Sequence, residues 1–272
     1  MKAKSASYPY VVWMAVFIVV PMALVVVFAF TDRNGSFTLQ NIRDVGQYSN
    51  VFLRSIWLGA VATVICLVLG YPLAYIISRV RAKRQNLMIM LVMLPMWMNF
   101  LLRTYAWMTL LEDSGFINRA LGFFGLPAVH MINTQGAVVL GMVYNYIPYM
   151  ILPLYSVLTK IDRSVIEAAQ DLGANSRTVF LRVTFPMSMP GVISGVTMVF
   201  VPAVSTFIIS KMLGGGSNLL IGDLIDMQFL GSTYNPNLGS AISLVLMVLI
   251  LICMGIMNQF DENGATEGGV MV

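Results

Sequence analysis

Residues 161–186 read IDRSVIEAAQDLGANSRTVFLRVTFP, a more polar segment set between two long apolar runs, 135–158 before it and 188–210 after it. Its local signals are those of two short helices. Ser164 and Glu167 have capping-box spacing, so a first helix is expected to begin near Val165. Ala168 and Ala169 favour its continuation, and Gly173 supplies the left-handed residue that ends it. Asn175 or Ser176 can cap a second helix through Arg182, which Pro186 is expected to stop before the next apolar run. Helices this short are not stable alone in water. Val165, Ile166, Ala169 and Leu172, then Val179, Phe180 and Val183, offer apolar faces that something must cover. Two covers are open: the ends of the protein's own long helices, or a groove in a partner.

Working outward, six stretches are long and apolar: about 10–30, 54–78, 86–110, 135–158, 188–210 and 239–258. A membrane-spanning helix needs roughly 20 such residues, and a backbone in hydrocarbon must satisfy its own hydrogen bonds. Prolines 21, 72, 95, 148, 153 and 202 fall inside these runs and predict kinks. The whole chain is 58% hydrophobic and 10% charged, with a mean hydropathy of +0.81. Soluble domains are roughly 45–50% apolar and a quarter charged, so the excess must face a lipid bilayer. The expected fold is all-α: one polytopic membrane domain over residues 1–272 with six transmembrane helices. The first run follows Lys2 and Lys4 and closes at Phe28, Phe30, Thr31 and Asp32 without a small-residue cleavage site. It reads as a retained span rather than a signal peptide.

Lysine and arginine set the orientation. Arg79, Arg81, Lys83 and Arg84 occupy the second connection with no acid, and Lys160, Arg163, Arg177 and Arg182 the fourth. On the other side, Arg33 and Arg43 stand with Asp32 and Asp44, Arg119 with Glu112 and Asp113, and Lys211 with Asp223 and Asp226. Both termini are therefore expected in the cytoplasm. The acidic tail (Asp261, Glu262, Glu267) does not oppose this, because acids contribute little to the rule. The formal charge of +4 is spread over short loops, not gathered into a patch for nucleic acid.

The chemistry that is missing narrows the function. No Gly-x-x-x-x-Gly-Lys-Ser/Thr phosphate loop occurs, and the Gly214–Gly216 run has no lysine after it. If ATP drives this protein, ATP and magnesium are bound by another chain. Cys66 and Cys253 lie inside apolar runs, and His130 is the sole histidine, which leaves no metal, cofactor or catalytic site. Every Asp and Glu falls in a connection, at a span edge or in the tail. That weighs against an ion-coupled carrier, which places ionisable groups within the bundle.

Glu167-Ala168-Ala169, three residues, Gly173, nine residues, then Val183-x-Phe185-Pro186 resembles the EAA loop of binding-protein-dependent ABC importer permeases, with Val and Phe at two positions usually Ile and Leu. Residues 67–72 (LVLGYP), 94–105 (LPMWMNFLLRTY), 152–156 (LPLYS) and 214–225 (GGGSNLLIGDLI) resemble the spermidine/putrescine permeases of the PotB type. The resemblance implies a type I ABC importer permease fold and a non-catalytic role for this chain. It implies as partners a second six-span permease (PotC type), an ATPase dimer (PotA type) and an extracytoplasmic polyamine-binding protein (PotD type). It makes residues 160–186 the ATPase-coupling loop, with Ser164, Glu167, Ala168, Ala169, Gly173, Phe180 and Pro186 its marked positions. ATP binding would close the ATPase pair and move the spans between inward- and outward-open states. The cargo would be a polyamine, the alternatives being another small solute such as iron, thiamine, sulfate or an opine, or ion-coupled transport.

A polyamine favours carboxylates and aromatic faces. Candidates for its path are Trp97, Asn99 and Tyr105 in the third run and Tyr144, Asn145 and Tyr149 in the fourth. The alternative for these aromatics is a belt at the membrane interface. Arg103 opposes a cationic cargo unless it snorkels or pairs with Glu112 or Asp113. The outer connection is the candidate contact for the binding protein, through Gly214, Gly215, Gly216, Asp223 and Asp226, or else an ordinary solvated loop.

Overall fold

The computed structural model describes residues 8–216, 218–231 and 233–267. Lys2 and Lys4 lie outside them, as do the side chains of Asp261, Glu262 and Glu267. Among the described residues, all regular structure is helical apart from one isolated bridge between Thr31 and Phe37. The expected all-α membrane fold is what the chain adopts. Four helices are long and apolar enough to cross a membrane, or up to six if each of two bent pairs is one span.

The helices follow in order. Helix α1 (Pro9–Ala29) leads, then the short α2 (Gln40–Val45) and the long α3 (Ser49–Arg79). Next come α4 (Ala82–Met93), α5 (Phe100–Leu111), α6 (Phe116–Phe123) and α7 (Gln135–Leu158). After these lie α8 (Arg163–Asp171), α9 (Ser176–Met187), α10 (Met189–Ser205), α11 (Ile208–Leu213), α12 (Ile221–Leu230) and α13 (Pro236–Glu267).

Helices α3, α7 and α10 pack on one another as the centre of the molecule, joined by Leu58, Ala62, Cys66, Met142, Met150, Leu154 and Val199. A second core, with Ala29, Phe52, Val204, Leu224 and Ile242, ties α1 and α12 to α13. The last carbonyls of α1 have no partner inside the helix. Two asparagines cover that end: Asn237 Nδ2 donates to Phe28 O and Thr31 O, at 3.2 and 2.7 Å, and Asn41 Nδ2 to Ala29 O and Thr31 O, at 3.2 and 2.9 Å. None of α1's apolar window is buried within the chain, which leaves its flank to lipid or a neighbouring subunit.

Two apolar runs are not single helices. The run 86–110 turns by 87° between Ala82–Trp97 and Phe100–Phe123. Pro95 tightens Leu94–Trp97 into a 3₁₀ turn, Met98 is extended, and Asn99 restarts the helix by accepting from Leu101 N at 2.8 Å. The run 188–210 bends by 62° at its start and ends early, at Ser205. Pro202 removes a donor from the last turn, Thr206 is extended, and α11 sets off in a new segment. By contrast α3 and α7 run unbroken through Pro72, Pro148 and Pro153.

Candidate functional site

The loop between α7 and α10 divides into two unlike halves. Helix α8 begins two residues earlier than the Ser164–Glu167 spacing predicts. Its cap is Asp162, extended at ψ 137°, whose Oδ1 accepts from Ser164 N at 3.1 Å. A carboxylate at the cap also faces the positive end of the helix, so it outcompetes a serine two positions on. Ser164 therefore lies inside the helix. Glu167 and Ala168 are exposed, Ala169 is half-buried, and no α8 residue is fully buried. Val165 is exposed, and Leu172 just beyond the helix is 89% exposed.

Gly173 ends the helix as its residue type predicts, at φ +84°. Ala174 N donates to Ala169 O at 3.1 Å and Gly173 N to Gln170 O at 2.8 Å, the paired bonds of a Schellman motif. Asn175 then caps α9, accepting from Thr178 N and Oγ1 at 2.8 and 2.9 Å.

Helix α9 does not stop at Pro186. It passes through a π turn at Phe180–Thr184, continues to Met187, and turns into α10 at Ser188. The wider turn accommodates a proline that has no N–H to offer. Pro186 itself is exposed. Val179 is buried, and Phe180 sits edge-on against Tyr71 and Tyr75 of α3, with ring centroids 5.7 and 5.8 Å away. The apolar face of α9 is thus covered by the chain's own α3, whereas α8 sets only half-buried Ile166 against the core and leaves Val165, with Leu172 beyond it, uncovered.

The six pathway candidates do not form one cluster. Trp97 is 74% exposed at the break before α5, beside Asn99, and Tyr105 is exposed on α5. Tyr144 meets Trp107 edge-on at 5.4 Å and lines an apolar groove of about 740 Å³ between α3 and α7. Asn145, the next residue, is 2% exposed, with Nδ2 donating to Gly141 O at 2.9 Å and Oδ1 unpartnered. It faces the interior, not a surface. Tyr149 is exposed one turn further on, 6.4 Å from the Tyr146 ring.

Arg103 neither snorkels nor pairs with Glu112 or Asp113. It is 8% exposed, its guanidinium lies 5.9 Å over the Phe100 ring, and its Nε and Nη1 have no partner. Asp113 is taken by His130, Oδ1 to Nδ1, at 2.8 Å.

In the outer connection Gly215 and Gly216 are exposed with φ of +61° and +74°, whereas Gly214 is buried. Asp226 pairs with Lys211 at 3.0 Å. Asp223 is not a solvated loop residue: it is 5% exposed and sits at the start of α12, where Oδ2 accepts from Leu220 N at 2.9 Å. Burial pushes its carboxyl above the usual carboxylate range, against the opposing pull of its hydrogen bonds and of Lys211. The folded protein thus holds this proton more tightly than the unfolded chain does. Folding stability is unaffected below the ordinary carboxylate pKa and is lost as pH rises from there through the raised value. Asp223→Asn keeps an oxygen for Leu220 N and removes that loss. Its thermal midpoint is expected above wild type at pH of about 7, with the gap closing near pH of about 4. A gap that does not change with pH contradicts this account of Asp223.

The family described as binding-protein-dependent transport system inner membrane component matches residues 3–263. The chain belongs to this family. The spermidine/putrescine transport system permease protein PotB of Haemophilus influenzae is 39% identical over 251 residues, 88% of this chain and 87% of that protein. The Escherichia coli K12 protein of the same name is 35% identical over 248 residues, 88% and 90% of the two chains. Among solved structures, a chain of a bacterial ABC transporter that imports the acidic polysaccharide alginate superposes with a TM-score of 0.82 at 16% identity, covering 96% of this chain and 95% of that one. A chain of the MetNI methionine ABC transporter gives 0.61 at 16% identity, covering 79% and 95%. At that identity the two structures speak to the fold alone.

In this transport family, as in any, charge and exposure are easier to read in sequence than burial. Sequence reasoning missed the contact of Tyr71 with Ser188, whose hydroxyls lie 2.7 Å apart in the interior. It also missed the clamp of Asn118 on Val129, whose N–H and carbonyl both bond to one amide side chain, at 2.9 and 3.0 Å. Neither has a local signal, because each joins separate segments.

Proposed function

We propose that this chain is one permease subunit of an ATP-driven importer of polyamines, with both termini in the cytoplasm. Its partners are a second permease of the PotC type, an ATPase dimer of the PotA type and an extracytoplasmic binding protein of the PotD type. ATP and magnesium belong to the ATPase; this chain carries no cofactor of its own and performs no catalysis. The observation that carries the reading is α8: a short amphipathic helix with no buried residue, on a rigid glycine turn, in the EAA position. Marginal alone, it is supported by docking into a groove of the ATPase. The names of the relatives support the cargo.

Arg103 is buried in the chain and presents little of its side chain to a passing cation. Trp97, Tyr105 and Tyr149 offer exposed aromatic faces to ammonium groups, Asn99 stands beside Trp97, and Tyr144 with Trp107 closes the flank next to lipid. Asn145 supports α7 from within. In the outer connection Gly215 and Gly216 meet the binding protein, over a base formed by Gly214, Asp223 and the Lys211–Asp226 pair.

The test is reconstitution of the four components in proteoliposomes with ATP on the ATPase side. Labelled spermidine or putrescine is expected to accumulate only with ATP and binding protein. Accumulation driven by an ion gradient without ATP overturns the mechanism. ATP-dependent uptake of iron, thiamine, sulfate or an opine in place of polyamine overturns the cargo. Within this assay Trp97→Ala removes one cation–π face, worth about 0.5–2 kcal/mol, so uptake at subsaturating polyamine is expected to fall between about twofold and thirtyfold. Unchanged uptake kinetics with normal assembly would return Trp97 to a packing role.

A further inference from the structure

A lever transmits movement only if its joints are stiff. Between α8 and the spans there are two joints: the Schellman turn at Gly173, and the 62° bend at Ser188 where α9 becomes α10. The second is held from outside the loop. Ser188 Oγ donates to Phe185 O at 2.8 Å, which closes the last turn of α9 and commits the hydroxyl hydrogen. The 2.7 Å contact with Tyr71 is therefore donated by the tyrosine O–H. Ser188 has no exposed surface and Tyr71 is buried, so water does not substitute for this bond.

Tyr71 also contacts the arm itself. Its ring lies edge-on to Phe180 at 5.7 Å and tilted to Phe185 at 5.8 Å, while Tyr75, one turn further along α3, takes the other edge of Phe180. One side chain thus touches the middle of α9, its last turn and its hinge. Pro72 follows immediately, and a proline inside a helix leaves one backbone hydrogen bond unmade. The clamp therefore meets α3 beside a turn that lacks one of its backbone hydrogen bonds.

We propose that Tyr71 is a positioning residue for transport: its hydroxyl, bonded to Ser188, fixes the angle between the coupling arm and α10 and links both to α3. Displacement of α8 then moves two spans together instead of flexing the bend. The proposal rests on reading α8 as the ATPase contact. A merely structural tyrosine would lower stability when altered and leave the yield of transport per ATP unchanged.

The experiment measures ATP hydrolysed and labelled spermidine taken up by the reconstituted complex. Tyr71→Phe keeps both ring contacts and loses the O–H, and Ser188→Ala loses the acceptor. Each is expected to keep ATP hydrolysis stimulated by binding protein while uptake per ATP falls, about fivefold in Tyr71→Phe, the size expected for one neutral hydrogen bond, and at least as much in Ser188→Ala, which also loses the bond to Phe185 O. The double variant should be no worse than Ser188→Ala, which already lacks the Tyr71 bond together with its own bond to Phe185 O. Ser188→Thr, which retains a hydroxyl, should recover most of the yield. Unchanged uptake per ATP in Tyr71→Phe, or additive losses in the double variant, overturns the proposal. If Tyr71→Phe fails to assemble, the Ser188→Ala and Ser188→Thr pair decides by the same ratio. Failure of the wild-type complex to couple ATP to uptake is a separate result, and counts against the function assigned above rather than the clamp.

Discussion

Gly173→Val is expected to reduce ATP-coupled uptake by at least about tenfold, while membrane insertion and yield stay normal. The residue is held at φ +84°, where a side chain without special hydrogen bonding costs about 1–3 kcal/mol and a β-branched one is the worst case. Space is not the obstacle: a Cβ at Gly173 meets nothing within 4 Å. The whole effect is therefore conformational. To relieve it the chain must give up the bonds from Gly173 N to Gln170 O and from Ala174 N to Ala169 O, and with them the angle between α8 and α9. Helix α8 buries nothing fully and sets only half-buried Ile166 against the core, so global stability should move little. Gly173→Asn, which tolerates the left-handed region, should retain most uptake. Wild-type transport by Gly173→Val would remove the turn from the coupling path.

That this turn is legible in the sequence, when the rest of the site is only partly so, has a physical reason. A helix that must end in a left-handed residue needs glycine at one position, and the requirement is met within a few residues of chain. Span length and hydropathy are equally local, which is why α1, α3, α7 and α13 fall where their apolar runs do. The spacing of Ser164 to Glu167 places the cap of α8 at Ser164, and takes no account of the carboxylate two residues earlier, Asp162, that caps the helix. Pro95 predicts a kink in the third run, but the cap formed by Asn99 is missed. A continuous apolar run hides the break, because hydropathy reports depth and not direction.

The burial of Asp223, Arg103 and Phe180 was not legible, because each depends on a segment far away in the chain. Phe180 needs the Tyr71 and Tyr75 edges of α3, and Asp223 sits where α12 begins against the ends of other helices. Polar type suggested surface in two of these three cases and was wrong in both.

The junction at the head of α12 carries the other large effect. Gly222→Ala is expected to destabilise the protein by about 1–3 kcal/mol or more, the range for forcing atoms into a packed interior, and to lower both thermal midpoint and yield. A Cβ at Gly222 would stand 2.5 Å from Thr206 O and 2.6 Å from Ser205 O. Both are backbone atoms, so no side-chain rotation makes room. The neighbouring residue fixes the position independently: Ile221 N donates to Ser55 Oγ of α3 at 2.9 Å, with Ser55 fully buried. Helix α12 is thus pinned to α3 by a hydrogen bond and to the end of α10 by bare backbone contact. A methyl group at 222 must break one or the other. Ser205 and Thr206 are where α10 stops short, so the same contact acts together with the donor missing at Pro202 to end the fifth apolar run early as a helix. Thermal unfolding of the purified variant in detergent checks the prediction. A midpoint within about a degree of wild type, less than a shift of 1 kcal/mol would produce, would show that α12 moves freely against α10 and that the early end of α10 has another cause.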